Sequence, residues 1–208
     1  MHDCQYCEEF EQGAFHLNGR DFGSRTLFES ENFIVFPSLG QIVEGYLLIA
    51  TKKHLISMGS LDSGLYKELD DMQQRVRKVL TENYQSPLFF EHGPASSMKR
   101  GGCCIEHAHI HAVPVKVDVL SELARHFECK EINSLESLKQ QSESRMPYLF
   151  FEDNEGKRYL FNVTSTIPSQ YIRQLIAVNI GRQERWDWRS YYGLDEMVRT
   201  IGRLEGKF

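Results

Sequence analysis

Ile105-Glu106-His107-Ala108-His109-Ile110-His111-Ala112-Val113-Pro114-Val115 carries the strongest pattern in the chain. Three histidines alternate with small or apolar residues, and the β-branched flanks mark an extended strand. Side chains switch faces with period two, so His107, His109 and His111 share one face at intervals of about 6.5 to 7 Å. Ala108, Ile110 and Ala112 take the other face and can pack on a core. Three of the chain's eight histidines within five residues argue against a solvent-facing strand that carries imidazoles by coincidence. Imidazole ligates metals and is a competent nucleophile and acid/base near neutral pH, so the row points to one of these two chemistries.

Immediately upstream, Pro94-Ala95-Ser96-Ser97-Met98-Lys99-Arg100-Gly101-Gly102 runs straight into the histidine strand. Backbone amides freed by glycines, two serine hydroxyls and two cations are what a phosphate-holding loop contains. Any exposed loop contains such residues too; the position of this one favours phosphate contact. Further upstream, Leu88-Phe89-Phe90-Glu91 reads as a strand. From Asp62 to about Asn83, Leu65, Leu69, Met72, Val76, Val79 and Leu80 recur at spacings of three and four, which predicts a long helix covering one face of a sheet. Arg25 to Glu29, Phe33 to Phe36 and Gly45 to Thr51 read as antiparallel strands in a meander.

Downstream, Asp118 caps a helix to Phe127. The polar run Glu128 to Ser144 is either a second helix or a linker. Tyr148-Leu149-Phe150-Phe151 and Arg158-Tyr159-Leu160-Phe161 flank Asp153-Asn154-Glu155-Gly156, a hairpin signal. The hairpin is apolar on both faces and should be buried, on the core or on a partner subunit. Ile167-Pro168-Ser169 starts a helix to about Ile180, and a last helix spans Leu194 to Leu204. The aromatics and arginines of 185–192 suit either buried anchors or stacking on a base or an RNA strand.

Composition bounds the rest. With 208 residues and 41% hydrophobic content the chain can bury a sizeable core, and a formal charge of −5 argues against coating nucleic acid. No apolar run reaches a membrane span and the start does not resemble a signal peptide, so no membrane partner and a cytoplasmic location are expected. Five cysteines, an odd count, suit thiols and metal ligands better than a disulfide framework. Cys4-Gln5-Tyr6-Cys7 is a CxxC knuckle that supplies two thiolates, and tetrahedral zinc needs two further ligands. A thioredoxin-like redox pair is the rival, but no βαβ pattern surrounds it.

His-Ala-His-Ile-His-Ala-Val resembles the signature of the histidine triad (HIT) superfamily of nucleotide hydrolases and transferases. Phe33-Ile34-Val35-Phe36, Glu44-Gly45-Tyr46-Leu47-Leu48-Ile49 and Lys52-Lys53-His54 follow in the order and spacing of that family's N-terminal half. The resemblance covers residues 4 to 116. It implies an α+β fold, an antiparallel sheet of about five strands with a long helix, here extended by the C-terminal hairpin and helices. The expected division is a HIT domain with its zinc knuckle over 1–116 and an α/β extension packed on it over 117–208.

The resemblance also implies roles. His109 would attack the α-phosphorus of a nucleotide and form a nucleotidyl-histidine, His111 would donate to a non-bridging oxygen or orient the ring, and His107 would support that network or be held by zinc. Some HIT proteins, and the related galactose-1-phosphate uridylyltransferases, complete a zinc site in a way that carries over to Cys4, Cys7, His54 and His107. Substrate contacts would come from Ser38, Ser96, Ser97, Lys99, Arg100, Cys103 and Cys104.

Four positions depart from the family pattern: Ser38 stands where an aspartate usually holds ribose, Cys103 and Cys104 where glutamine and serine contact phosphate, and Glu91 where asparagine stands. Glu91 would repel a phosphate unless protonated or paired, for instance with His92. Such changes imply an altered substrate or leaving group. The expected activity is hydrolysis or nucleotidyl transfer on a nucleoside phosphoramidate, dinucleoside polyphosphate or nucleotide conjugate, with His111 leaning toward hydrolysis. The alternative is a non-catalytic, zinc-stabilised nucleotide- or RNA-binding module. A homodimer formed across a sheet edge is expected, unless the extension covers that edge.

Overall fold

The computed structural model describes residues 4–96, 101–103 and 105–208. In chain order the elements are α1 (Gln5–Gln12), β1 (His16–Leu17), β2 (Arg20–Asp21), β3 (Phe28–Glu29), β4 (Phe33–Pro37), β5 (Leu47–Thr51), α2 (Tyr66–Asn83), β6 (Leu88–Gly93) and β7 (His109–Val113). Then come α3 (Leu120–His126), β8 (Cys129–Ile132), α4 (Lys139–Glu143), β9 (Tyr148–Glu152), β10 (Arg158–Asn162), α5 (Tyr171–Asn179) and α6 (Leu194–Leu204). The chain is α+β with an antiparallel sheet, as expected. β3 to β7 form five strands in the order β3-β4-β5-β7-β6, and β9, β10 and β8 extend the same sheet to eight.

Every residue of β4, β5, β6, β7 and β9 is buried because both faces of the sheet are covered. On one face Val35, Ile49, Phe89, Ile110 and Phe150 pack against Leu69, Met72, Val76, Val79 and Leu80 of α2. On the other, Phe36, Leu48, Phe90, Leu149 and Phe151 meet Tyr6 of α1, Leu123 of α3 and Ile172 and Ile176 of α5. Each fully buried phenylalanine contributes about 1.5–3 kcal/mol of apolar transfer. Toward α2, β7 carries Ile110 and Ala112, with Ala108 just before it, and the imidazoles of His109 and His111 lie on the opposite face.

The hairpin β9–β10 packs on the chain's own sheet: β9 pairs with β6 from Phe89↔Glu152 to Gly93↔Tyr148. The Gly93 Cβ position lies 2.2 Å from the Tyr148 ring, so only glycine permits this register. Glu152, 1% exposed in its side chain, pairs with Arg77 of α2 at 2.6 Å and Arg158 at 2.6 Å, and Arg158 also pairs with Asp70. This network pins α2 to the hairpin.

Several boundaries move. The α2 helix begins at Tyr66 after a 3-10 turn over Ser63–Leu65, not at Asp62. Of the expected first strand only Phe28–Glu29 is regular, with the Leu27 N–H still donating to the Val35 carbonyl at 2.9 Å, and the histidine strand is regular over His109–Val113 because the His107 N–H turns back to the Ile105 carbonyl at 2.9 Å. Asp118 does hold the start of α3, accepting from the Ser121 N–H at 3.0 Å. The run 128–144 is neither one helix nor a linker: it forms β8, a 3-10 turn at Leu135–Leu138 and α4. Only Ile132 of β8 is buried, so no alternation marks it; the open side of β10 recruits it. No helix among the described residues is long and apolar enough to cross a membrane.

Candidate functional site

The register places the triad. Ala50 pairs with His109 and Leu48 with His111, so both rings emerge from the middle of the sheet, on the face away from α2. His107, His109 and His111 are 1%, 8% and 8% exposed, so all three face a protein interior. Phe90 stacks on His111 at 4.4 Å between centroids and Tyr6 packs edge-on against His109 at 5.6 Å.

Hydrogen bonds settle two tautomers. The His109 Nδ1 lies 2.6 Å from the His107 carbonyl, which only accepts, so Nδ1 carries the proton and Nε2 a lone pair. His107 Nε2 lies 2.6 Å from the Thr51 carbonyl and is likewise protonated, leaving Nδ1 free to ligate. The Tyr46 hydroxyl and His111 Nδ1 share a bond of 2.8 Å. Burial lowers His109 to about 4, the bond to the His107 carbonyl opposing and the charge of Arg173 assisting. Burial also lowers His92 to about 3 and takes His111 well below its usual value. At neutral pH the pocket therefore presents neutral imidazoles.

Beside the triad, Cys4, Cys7, His54 and His107 place one donor atom each within 4.8 Å of one another. Cys4 Sγ lies 3.3 Å and Cys7 Sγ 3.6 Å from His107 Nδ1, and Cys7 Sγ lies 3.3 Å from His54 Nδ1. A tetrahedral zinc with ordinary Zn–S and Zn–N bonds sets sulfur and nitrogen about 3.5 Å apart, so the set has the right spacing. The Thr51 carbonyl holds the far side of His107, as outer partners of metal-bound imidazoles do. Burial and the neighbouring Cys4 push the Cys7 thiol up to about 11; a divalent cation reverses that preference. The four residues are compatible with zinc.

The cavity over the triad is lined by Gln5, Tyr6 and Phe15 from the N-terminal segment, by Arg25, Ser38 and Leu39, and by His92, Gly102, Cys103, Ile105, His109 and His111. Gln170, Arg173 and Trp188 complete it from the C-terminal part. It measures about 30 Å³, room for a water or two. Ser38 and Cys103 thus reach the pocket, although each hydroxyl or thiol turns to backbone, Ser38 Oγ to the Leu39 carbonyl at 2.9 Å and Cys103 Sγ to the Ile105 carbonyl at 2.9 Å. Ser96 is exposed and does not line it. Ser97, Lys99, Arg100 and Cys104 lie outside the described residues.

Glu91 is corrected: it neither faces the pocket nor pairs with His92. Phe90 sits opposite His111, so His92 shares the triad face and Glu91 points to α2. There it accepts from the Met58 N–H at 2.7 Å and the Tyr148 hydroxyl at 2.6 Å, and burial pushes it up to about 7. His92 Nε2 instead accepts the Ile172 N–H of α5 at 3.2 Å.

Sequence reading missed Gln170 and Arg173 as pocket residues, whereas Trp188 belongs to the 185–192 stretch read as buried anchors or a stacking surface. The available signal was an arginine between the buried Ile172 and the buried Ile176 and Ala177, a charge inside an apolar stripe. Gln170 has φ +60, rare outside glycine, held by its N–H to the Gly102 carbonyl at 2.9 Å. Trp188 and Arg173 approach the backbone at Gly40, φ +74, where a Cβ would lie 2.4 Å from the Trp188 Cβ.

Residues 15–126 match the family described as scavenger mRNA decapping enzyme C-term binding. No curated protein matches the sequence. Among solved structures the chain is similar to a zinc-bound histidine triad family protein from Mycobacterium smegmatis, with 17% identity, 68% of this chain and 96% of that one covered, and a TM-score of 0.43. It is also similar to a Hit-like protein involved in cell-cycle regulation from Bartonella henselae, with 13% identity, 70% and 98% covered, and a TM-score of 0.45. A HIT family hydrolase from Clostridium thermocellum has 16% identity, 57% and 95% coverage and a TM-score of 0.42. The matched family segment takes in more than half of the chain and holds the triad strand, and the chain belongs to this family, within the histidine triad superfamily.

Proposed function

We propose that the protein is a nucleotide hydrolase or nucleotidyl transferase that works through His109. The observation that carries this reading is the bond from His109 Nδ1–H to the His107 carbonyl at 2.6 Å, which leaves Nε2 as the lone-pair nitrogen of a ring lining the pocket. Nε2 forms a P–N bond at the α-phosphorus of a nucleotide, and the bond to the leaving group breaks with its electron pair. The leaving group takes up a proton from solvent. Water, or a second substrate hydroxyl, then displaces the histidine, loses its proton, and restores the neutral ring. Tyr46 orients His111 beside the site where charge gathers.

The substrate class is a nucleoside phosphoramidate, a dinucleoside polyphosphate, including a cap-like dinucleotide in view of the matched family, or a nucleotide conjugate. Cys4, Cys7, His54 and His107 hold zinc, which clips the N-terminal segment to the sheet and fixes the strand two residues before the nucleophile. Residues 1–116 supply the nucleophile and the metal donors, and 117–208 act as a wall of the same pocket. Intact-mass analysis of the protein and of His109→Asn after brief incubation with a substrate panel, quenched above neutral pH, tests the reading. A nucleotidyl adduct or turnover that vanishes in His109→Asn supports it. Binding of a nucleotide without adduct or product from any compound refutes it in favour of a non-catalytic nucleotide-binding module.

A further inference from the structure

Arg173 stands on α5 among Ile172, Ile176 and Ala177, and is 2% exposed. Buried guanidinium groups are normally matched by a carboxylate. Here Nε donates to the Trp186 carbonyl at 2.9 Å and Nη2 to the Gly40 carbonyl at 2.7 Å, with a long contact of 3.5 Å to the Arg185 carbonyl. The guanidinium also lies 5.1 Å from the centre of the Tyr46 ring. Among the described residues no carboxylate pairs with it and its Nη1 has no hydrogen-bond partner.

The other arginine of the pocket differs. Arg25 is saturated by a two-pronged pair with Glu9, both bonds at 2.7 Å, and by the Pro37 carbonyl at 2.6 Å. Of the described residues lining the cavity, Arg173 is thus the cation left uncompensated. Gln170, one turn earlier, adds a second sign of a missing ligand. It is 1% exposed, its Nε2 donates to Asp187 Oδ1 at 3.0 Å, and its Oε1 is buried without a partner among the described residues.

We propose that Arg173 is the anion-binding group of this pocket, gripping the non-bridging oxygens of the phosphoryl group presented to His109, and that the site is therefore completed by the C-terminal part of the chain. The inference rests on the nucleotide reading of the same pocket. Three carbonyls and an aromatic face position the guanidinium before the ligand arrives, and Gln170 Oε1 is set to accept from a hydroxyl or N–H of the same ligand. Recognition through the phosphoryl group makes the 5′-phosphate matter more than the identity of the base.

The test is equilibrium binding of adenosine against AMP and guanosine against GMP to the full-length protein and to Arg173→Gln and Arg173→Lys, with thermal melting of each. The expected result is that the nucleotide binds the native protein at least about tenfold tighter than its nucleoside, and that Arg173→Gln brings this ratio near one with nucleoside affinity unchanged. If Arg173→Gln does not fold, Arg173→Lys decides. A point charge cannot hold the Gly40 and Trp186 carbonyls and a phosphoryl oxygen together, so the ratio falls at least about threefold. An unchanged ratio in the folded variant overturns the proposal, as does a parallel loss of nucleoside and nucleotide affinity, or a ratio near one in the native protein. Turnover measured alongside separates the two readings. Absent turnover with an Arg173-dependent ratio removes the enzyme and keeps the anion site; turnover with an Arg173-independent ratio does the reverse.

Discussion

Replacing Glu91 by glutamine should make the protein more resistant to alkaline conditions. The carboxyl is 2% exposed and receives two short hydrogen bonds, 2.7 Å from the Met58 N–H and 2.6 Å from the Tyr148 hydroxyl. Those donors favour the carboxylate and burial opposes it; burial wins, and the group rises from 4.5 to about 7. The folded chain then holds a proton that the unfolded chain releases, so the stability tied to Glu91 is present below 4.5 and is lost as pH rises to about 7. At about 1.36 kcal/mol per pH unit this amounts to about 3 kcal/mol. Glutamine keeps an acceptor for Met58 and cannot ionise.

Urea denaturation of both proteins from about pH 5 to about pH 8 isolates the effect, because every other titration cancels in the difference. The native protein should lose about 2 to 3 kcal/mol relative to Glu91→Gln over that range. A flat difference, or one in which the native protein gains on the variant as pH rises, would refute the reasoning, since the two donors would then outweigh burial. Activity under saturating substrate should be unchanged by the substitution, because Glu91 faces α2 and not the triad.

Metal analysis should find one zinc per chain, and Cys7→Ser or a strong chelator should cost at least about 2 kcal/mol, lowering the melting temperature by about 4 to 8 °C; an unchanged melting curve counts against the metal. Glu152→Ala removes the buried carboxylate shared by Arg77 and Arg158, leaving Arg158 to Asp70 and Arg77 to backbone carbonyls, and should destabilise the chain by about 1.5–3 kcal/mol in urea titrations, against under 1 kcal/mol if the network is ornamental. Sedimentation should give a monomer rather than the homodimer the resemblance suggests: β9 occupies the outer side of β6, β3 is two residues long, and β8 exposes Cys129, Lys130 and Glu131. A concentration-independent dimer would contradict this.

The features legible from residue order alone are local and periodic. Alternation put the three histidines on one face, threefold and fourfold spacing marked α2, and the turn Asp153 to Gly156 marked the hairpin; Leu194 to Leu204 matches α6 residue for residue. The Cys4, Cys7, His54 and His107 set was legible only through the family resemblance, because nothing local joins residues a hundred positions apart. Tertiary structure decided what depends on register and distant partners. Glu91 and His92 are neighbours in sequence, yet the pairing Phe90↔His111 sends one to α2 and the other to the pocket. Arg173 and Gln170 join the site because α5 packs across the sheet, and β8 exists because β10 leaves a row of backbone groups unpaired. Periodicity reports which face a side chain takes within its own element. Which element it then meets is set by long-range pairing and by the cost of leaving backbone groups and charges without partners, and that is settled only when the whole chain packs.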